Sequence, residues 1–328
     1  MQVVRLMPLF ALLACPGPDT NATKDSGDPS GNPDDSGDTG ANCEVHLTSI
    51  SPTDGAVSVF YRDLLVLSFD GDGSAATIAV TDDAGTAVAV TEAWQDGNVQ
   101  VWLDAELSAA TTYDVAVSLC GNDYATSFTT SDVGKPLEVQ YESMVGRTYA
   151  FSLNEANITT PSIIEGFDDD YFTQPLLFMI QEADESGVTF LGAPGVKDGS
   201  TYSQDIEAPT WDFPAADFTE QPYFETHADY IELAYRGTPI PISDFAFTGV
   251  FLADGSAIVE ATVEGLVDTR EMYEFLGLPE NPEAICDYAS GFGVYCEECP
   301  DGNAYCLYLV GEDITANEQA GLTLTVVE

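Results

Sequence analysis

Phe245-Ala246-Phe247-Thr248-Gly249-Val250-Phe251-Leu252 is followed by Ala253-Asp254-Gly255-Ser256 and then by Ala257-Ile258-Val259-Glu260-Ala261-Thr262-Val263. Two runs rich in aromatic and β-branched residues flank an Asp-Gly turn, and that arrangement predicts a β-hairpin with strands over 245–252 and 256–263. Further strands are predicted on either side, over 146–153, 176–181, 188–191, 230–235, 304–310 and 322–327, with Asp184-Glu185-Ser186-Gly187 as another turn. Two short helices fit between them. One runs from Asp268 to Leu276, with Asp268 as N-cap and Glu271 closing a capping box, and the other from Pro282 to Ala289. Strand follows strand without βα alternation, so residues 135–328 predict an antiparallel, closed or strongly curled barrel. Its inward candidates are Phe151, Leu177, Met179, Phe190, Leu233, Phe247, Phe251 and Val259. Tyr171-Phe172, Trp211-Asp212-Phe213, Phe218 and Tyr223-Phe224 fall in a long irregular stretch and read as a plug folding back into the barrel, with a lid or binding rim as the weaker alternative.

Residues 44–131 are also strand and turn. Strands are predicted over 58–60, 64–69, 77–81, 87–90, 98–102, 112–117 and 124–128, punctuated by Asp70-Gly71-Asp72-Gly73, Asp83-Ala84-Gly85 and Asp96-Gly97. Six or seven short strands at this spacing predict an immunoglobulin-like β-sandwich, with Trp94 and Trp102 as packing residues. Val133-Gly134-Lys135-Pro136 marks the boundary. The fold class is therefore all-β: an Ig-like β-sandwich followed by an antiparallel β-barrel-like domain with two short helices.

Ser51-Pro52-Thr53-Asp54-Gly55-Ala56, the strand ending Ser68-Phe69, the segment Leu107 to Thr112-Tyr113-Asp114-Val115 and the closing Phe128-Thr129-Thr130 resemble bacterial Ig-like domains of the SbsA (S-layer protein) type. The resemblance implies a spacer or adhesive module on the cell exterior, without an active site. Gly146-Arg147-Thr148-Tyr149 and the meander after it are similar in architecture to lipocalin-like barrels, which implies a rival role as carrier of a small apolar ligand.

Residues 1–14 carry one positive charge, Arg5, and an apolar run from Leu6 to Ala14. That run is too short to span ~30 Å of hydrocarbon but suits the apolar core of an export signal. Leu12-Leu13-Ala14-Cys15 resembles the lipobox of bacterial lipoproteins, which implies cleavage before Cys15 and its lipidation. Residues 15–42 are mostly Asp, Ser, Gly, Pro, Thr and Asn, cannot bury enough apolar surface to offset chain entropy, and read as a disordered tether. The expected setting is the bacterial envelope. Pro16 after the lipidated cysteine points to the outer membrane, with the membrane itself and an envelope protein or polysaccharide as partners.

Of seven cysteines, six remain once Cys15 is assigned to the anchor, an even number suited to an oxidising compartment. Cys43 and Cys120 predict one long-range bridge. Cys286, Cys296, Cys299 and Cys306 predict two local bridges of open pairing, with a four-thiolate zinc site as the weaker alternative.

Acidic residues outnumber basic ones 56 to 8, for a formal net charge of −48, which excludes nucleic acid as a partner. The sequence has no Gly-x-Ser-x-Gly elbow, His-Glu-x-x-His pair, P-loop or dinucleotide fingerprint. His46 and His227 are its only histidines and read as surface residues. No catalytic residue and no cofactor is assigned, and the expectation is a non-enzymatic protein. Asp70, Asp72 and the run Asp168-Asp169-Asp170 are weak calcium candidates, because loop carboxylates are the ligands that cation takes.

Overall fold

The computed structural model describes residues 44–161, 173–235, 238–273, 277 and 280–328. The residues read as signal, anchor and tether, together with Cys43, Asp168-Asp169-Asp170 and Tyr171-Phe172, lie outside them.

The N-terminal body holds β1 (Leu47–Ser51), β2 (Ala56–Val59), β3 (Leu65–Phe69), β4 (Thr77–Asp82), β5 (Val90–Gln95), β6 (Gln100–Ala105), β7 (Thr112–Leu119) and β8 (Asn122–Thr130). They form two four-stranded sheets, ordered β1-β3-β6-β5 and β2-β8-β7-β4. Strict alternation directs Leu65, Leu67 and Phe69 of β3 against Tyr113, Val115, Val117 and Leu119 of β7, and this makes the sandwich core. Asp96 and Gly97 both have positive φ and turn β5 into β6, as the Asp-Gly signal requires. The strand expected over 87–90 is displaced. Ala87 only bridges Thr81, and the ladder with β6 starts at Val90 opposite Ala105. β1 escaped the sequence reading because its burial does not alternate.

Helix α1 (Tyr141–Met144) leads into β9 (Thr148–Ser152), β10 (Asn157–Thr160), β11 (Pro175–Ala183), β12 (Gly187–Asp198), β13 (Thr201–Gln204), β14 (Trp211–Asp217), β15 (Tyr223–Tyr235), β16 (Thr238–Phe251) and β17 (Ala257–Asp268), followed by α2 (Ala284–Ser290) and β18 (Cys306–Glu318). Eight of these strands close a barrel in the order β18-β17-β16-β15-β14-β12-β11-β9, with β9 pairing back to β18 through Asn317 opposite Ala150. Closure removes the exposed edges an open sheet would leave. The β16–β17 hairpin turns at Gly255, at φ +69. Its carbonyl accepts bonds from the Tyr149 hydroxyl at 2.9 Å and from Arg147 Nη1 at 3.0 Å, so the turn is docked rather than free.

Phe151, Phe190, Leu233, Phe247 and Phe251 point inward as expected. Leu177 and Met179 do not. On β11 the inward residues are Leu176, Phe178 and Ile180, while Leu177 and Met179 face the opposite side, covered by Leu322 and Leu324. Both faces of β11 are apolar, so alternation carried no sign of which was inner. Val259 is also displaced. A bulge in the β17–β18 ladder, with Glu260 at φ +47, leaves Ile258 and Ala261 buried and Val259 half-buried.

The supposed plug is barrel wall: β14 begins at Trp211, and Phe213, Phe218 and Phe224 join the interior cluster. Residues 322–327 are not a strand. They lie extended across the barrel, held by Thr148 Oγ1 donating to the Leu322 carbonyl at 2.8 Å and by Gln204 and Thr210 bonding Thr325 and Val327. Helix α2 lies where 282–289 was read as helical. Asp268 ends β17, and its carboxylate accepts from the backbone N–H and guanidinium of Arg270; of the helix read over 268–276, Met272 and Tyr273 form a 3-10 turn and residues 274–276 lie outside the described residues.

The described residues from Glu44 onward fall in one compact unit. At the junction, Gly134 at φ +98 runs so close to Tyr61 that a Cβ there would lie 2.4 Å from its ring. Arg62 of the sandwich donates to Glu220 of the barrel at 2.8 Å, with its guanidinium 3.8 Å from the centre of the Tyr223 ring.

Candidate functional site

The barrel interior is the first place to look for a ligand, and it is filled by aromatic rings. Phe178 stacks on Phe247 at 4.4 Å between centroids, Phe224 meets Phe247 edge-on at 5.3 Å, and Phe151 lies parallel to Phe178 at 5.8 Å. Phe190, Phe245 and Phe251 complete the group, all 1 % exposed or less. Offset and edge-on pairs of this kind stabilise beyond the area they bury.

The two histidines are far apart in the fold. His46 is exposed near the start of β1, where its backbone N–H donates to Asp70 Oδ1 at 2.6 Å. His227 is exposed on β15, its Nε2 3.0 Å from Glu225 Oε1. Asp70 is thus engaged by a backbone donor, and Asp72 Oδ1 accepts from the Ser74 N–H at 3.0 Å; the Ser74 hydroxyl, and then that N–H, hold its carboxyl below the usual range. Both are turn-locking acceptors, the commoner use of Asp in hairpins. Among the described residues, no three His, Cys, Asp or Glu side chains are grouped to hold a metal.

The C-terminal thiols pair as Cys286–Cys296 and Cys299–Cys306, so they are not zinc ligands. The bridges staple α2 and the loop after it to the start of β18, over a small core of Ile285, Ala289 and Leu307. Such a core is too small to hold 280–306 alone, which explains why the cysteines cluster there. Cys120 is also disulfide-bonded.

Two features were not legible in the sequence. Carboxylates converge beside the junction: partial desolvation pushes Asp63, Glu260 and Glu312 upward, and Asp313 adds repulsion to each. They come from segments about 250 residues apart, and only the fold brings them together. The other is a groove where β14 and β15 part, lined by Trp211, Asp212, Ala228, Asp229 and Tyr230. Tyr230 is half exposed there, and its hydroxyl, donating to Glu232 at 2.6 Å, is pushed up to about 12 by desolvation and that carboxylate.

Comparison with known proteins adds the following. No curated protein matches the chain. Among solved structures, a DUF4784 family protein from Bacteroides caccae is 10% identical, with 68% of this chain and 67% of that one covered at a TM-score of 0.22. A protein from Listeria monocytogenes, solved with glucose, magnesium and calcium, is 11% identical, with 67% of this chain and 21% of that one covered at a TM-score of 0.17. At these scores neither likeness says what this chain binds. The family match agrees with the sandwich: residues 41–130 match the bacterial Ig-like domain family Big_5.

Proposed function

We propose that this chain is an exported, lipid-anchored envelope protein, probing no chemistry of its own, in which a tether and an Ig-like spacer hold a solid β-barrel away from the membrane for adhesion or assembly. The observation that carries the reading is the barrel interior, where Phe178, Phe247 and their neighbours occupy the space a carrier would give to its ligand. An eight-stranded barrel is just wide enough to be filled by side chains or to hold one small ligand, and these rings take the first option. Further support comes from the Ig-like sandwich at residues 41–130 and from Leu12-Leu13-Ala14-Cys15, the sequence that resembles a lipobox.

The anchor is tested by Cys15→Ser in the full chain expressed in a bacterial host. The variant is expected to move from the membrane pellet to the soluble fraction, whereas a variant that still pellets with the membranes would refute lipid anchoring at Cys15.

A further inference from the structure

We infer that the parting of β14 from β15 is a binding groove for an uncharged, hydroxyl-rich ring, meaning a sugar residue of a neutral glycan. The inference does not depend on the lipid anchor. The two strands register only at Asp217 opposite Glu225. Continued, that register would set Pro214 opposite Ala228, but proline has no N–H for a ladder, and the Pro214 carbonyl instead accepts from the Thr226 hydroxyl at 3.2 Å. Beyond this point the strands separate around an open groove of about 380 Å³. That is near the lower end of the ~300–1,000 Å³ range of small-molecule sites.

The lining states what a ligand must bring. Trp211 lines the groove from the barrel's interior cluster, 5% exposed, and its indole N–H, itself closed off from solvent, has no acceptor among the described residues. An unpaired buried donor is costly, so an oxygen acceptor on a ligand is rewarded there. Asp212 and Asp229 present carboxylates, which only accept hydrogen bonds when ionised, and no Lys or Arg lines the groove. The ligand therefore supplies donors, and a net charge of −48 on the chain repels an anionic one. Tyr230, 47% exposed and oriented by its bond to Glu232, offers an apolar ring face. Hydroxyl donors, an oxygen acceptor and an apolar face meet in one small molecule when that molecule is a sugar ring.

The test is an NMR titration of the indole N–H signals in the soluble chain lacking residues 1–15, with cellobiose and N,N′-diacetylchitobiose as probes. Trp211→Phe is used only to assign the signal. A saturable shift of the Trp211 signal with at least one disaccharide is expected, with Trp94 and Trp102 unmoved. In Asp212→Ala/Asp229→Ala, two exposed positions, affinity should fall by about tenfold or more. No Trp211 shift with either sugar up to about 10 mM, unchanged affinity in the double variant, an equal response to glucuronate, or a tighter response to putrescine would each overturn the inference. Because the chain used lacks the anchor, failure here leaves the lipoprotein reading intact, and the reverse also holds.

Discussion

Phe247 is the residue on which the interior turns, since its ring contacts those of Phe151, Phe178, Phe190 and Phe224. It is 0% exposed. Phe247→Ala would remove every one of these contacts at once and leave a cavity in a closed barrel that cannot collapse around it. The expected loss is about 3–5 kcal/mol, read as a lower denaturation midpoint at unchanged m-value. A loss under about 1 kcal/mol would mean that the rings do not pack as described. At this scale the sequence told much but not everything. Phe247 and Phe251 were legible as inward because they stand on a hairpin with a clear turn, whereas Leu177 and Met179 stand on a strand apolar on both faces. Nothing local distinguishes the face covered by a distant C-terminal segment from the face in the core.

At the scale of elements, the junction between the sandwich loop and the β17–β18 bulges concentrates acid. Asp63, Glu260 and Glu312 are all held above the usual carboxylate range, chiefly by partial desolvation. For a group raised on folding, the folded state binds the proton more readily than the unfolded one. Its contribution to stability is complete below the ordinary carboxylate value, about 4, and is lost as pH rises through the folded value. Asp184, Asp217 and Asp301, lowered chiefly by turn N–H groups, and Asp254, lowered chiefly by the Ser256 hydroxyl, run the other way, so their contribution is present above the ordinary value and is lost only in stronger acid. The thermal midpoint should therefore be higher near pH 5 than near pH 8, and Glu260→Gln should narrow the difference. An equal or higher midpoint at pH 8 would contradict this account of the junction. These groups are exposed enough for salt to weaken the effect. Elements with a strong turn or clean alternation, such as β3, β7 and the β16–β17 hairpin, were legible in the sequence. β14 was not, because Pro214 in its middle argues against a laddered strand and made a wall strand look like a loop.

For the whole molecule, the charge of −48 is carried on a fold whose cores are ordinary. Repulsion of that size is relieved by screening, and the Debye length shrinks from ~10 Å at 0.1 M salt to ~3 Å at 1 M. Unfolding midpoints should rise between low and near-molar sodium chloride, and a flat response would show that the fold already disperses its charge. In the proposed reading, Cys15 holds a solid barrel at the membrane. The measurement that tests it most directly is mass spectrometry of the full-length gene product purified from its own membranes, taken first native and then denatured. The account predicts a chain beginning at lipidated Cys15, with no difference in bound mass between the two conditions. An unmodified Cys15, or a stoichiometric apolar molecule released on denaturation, would contradict it.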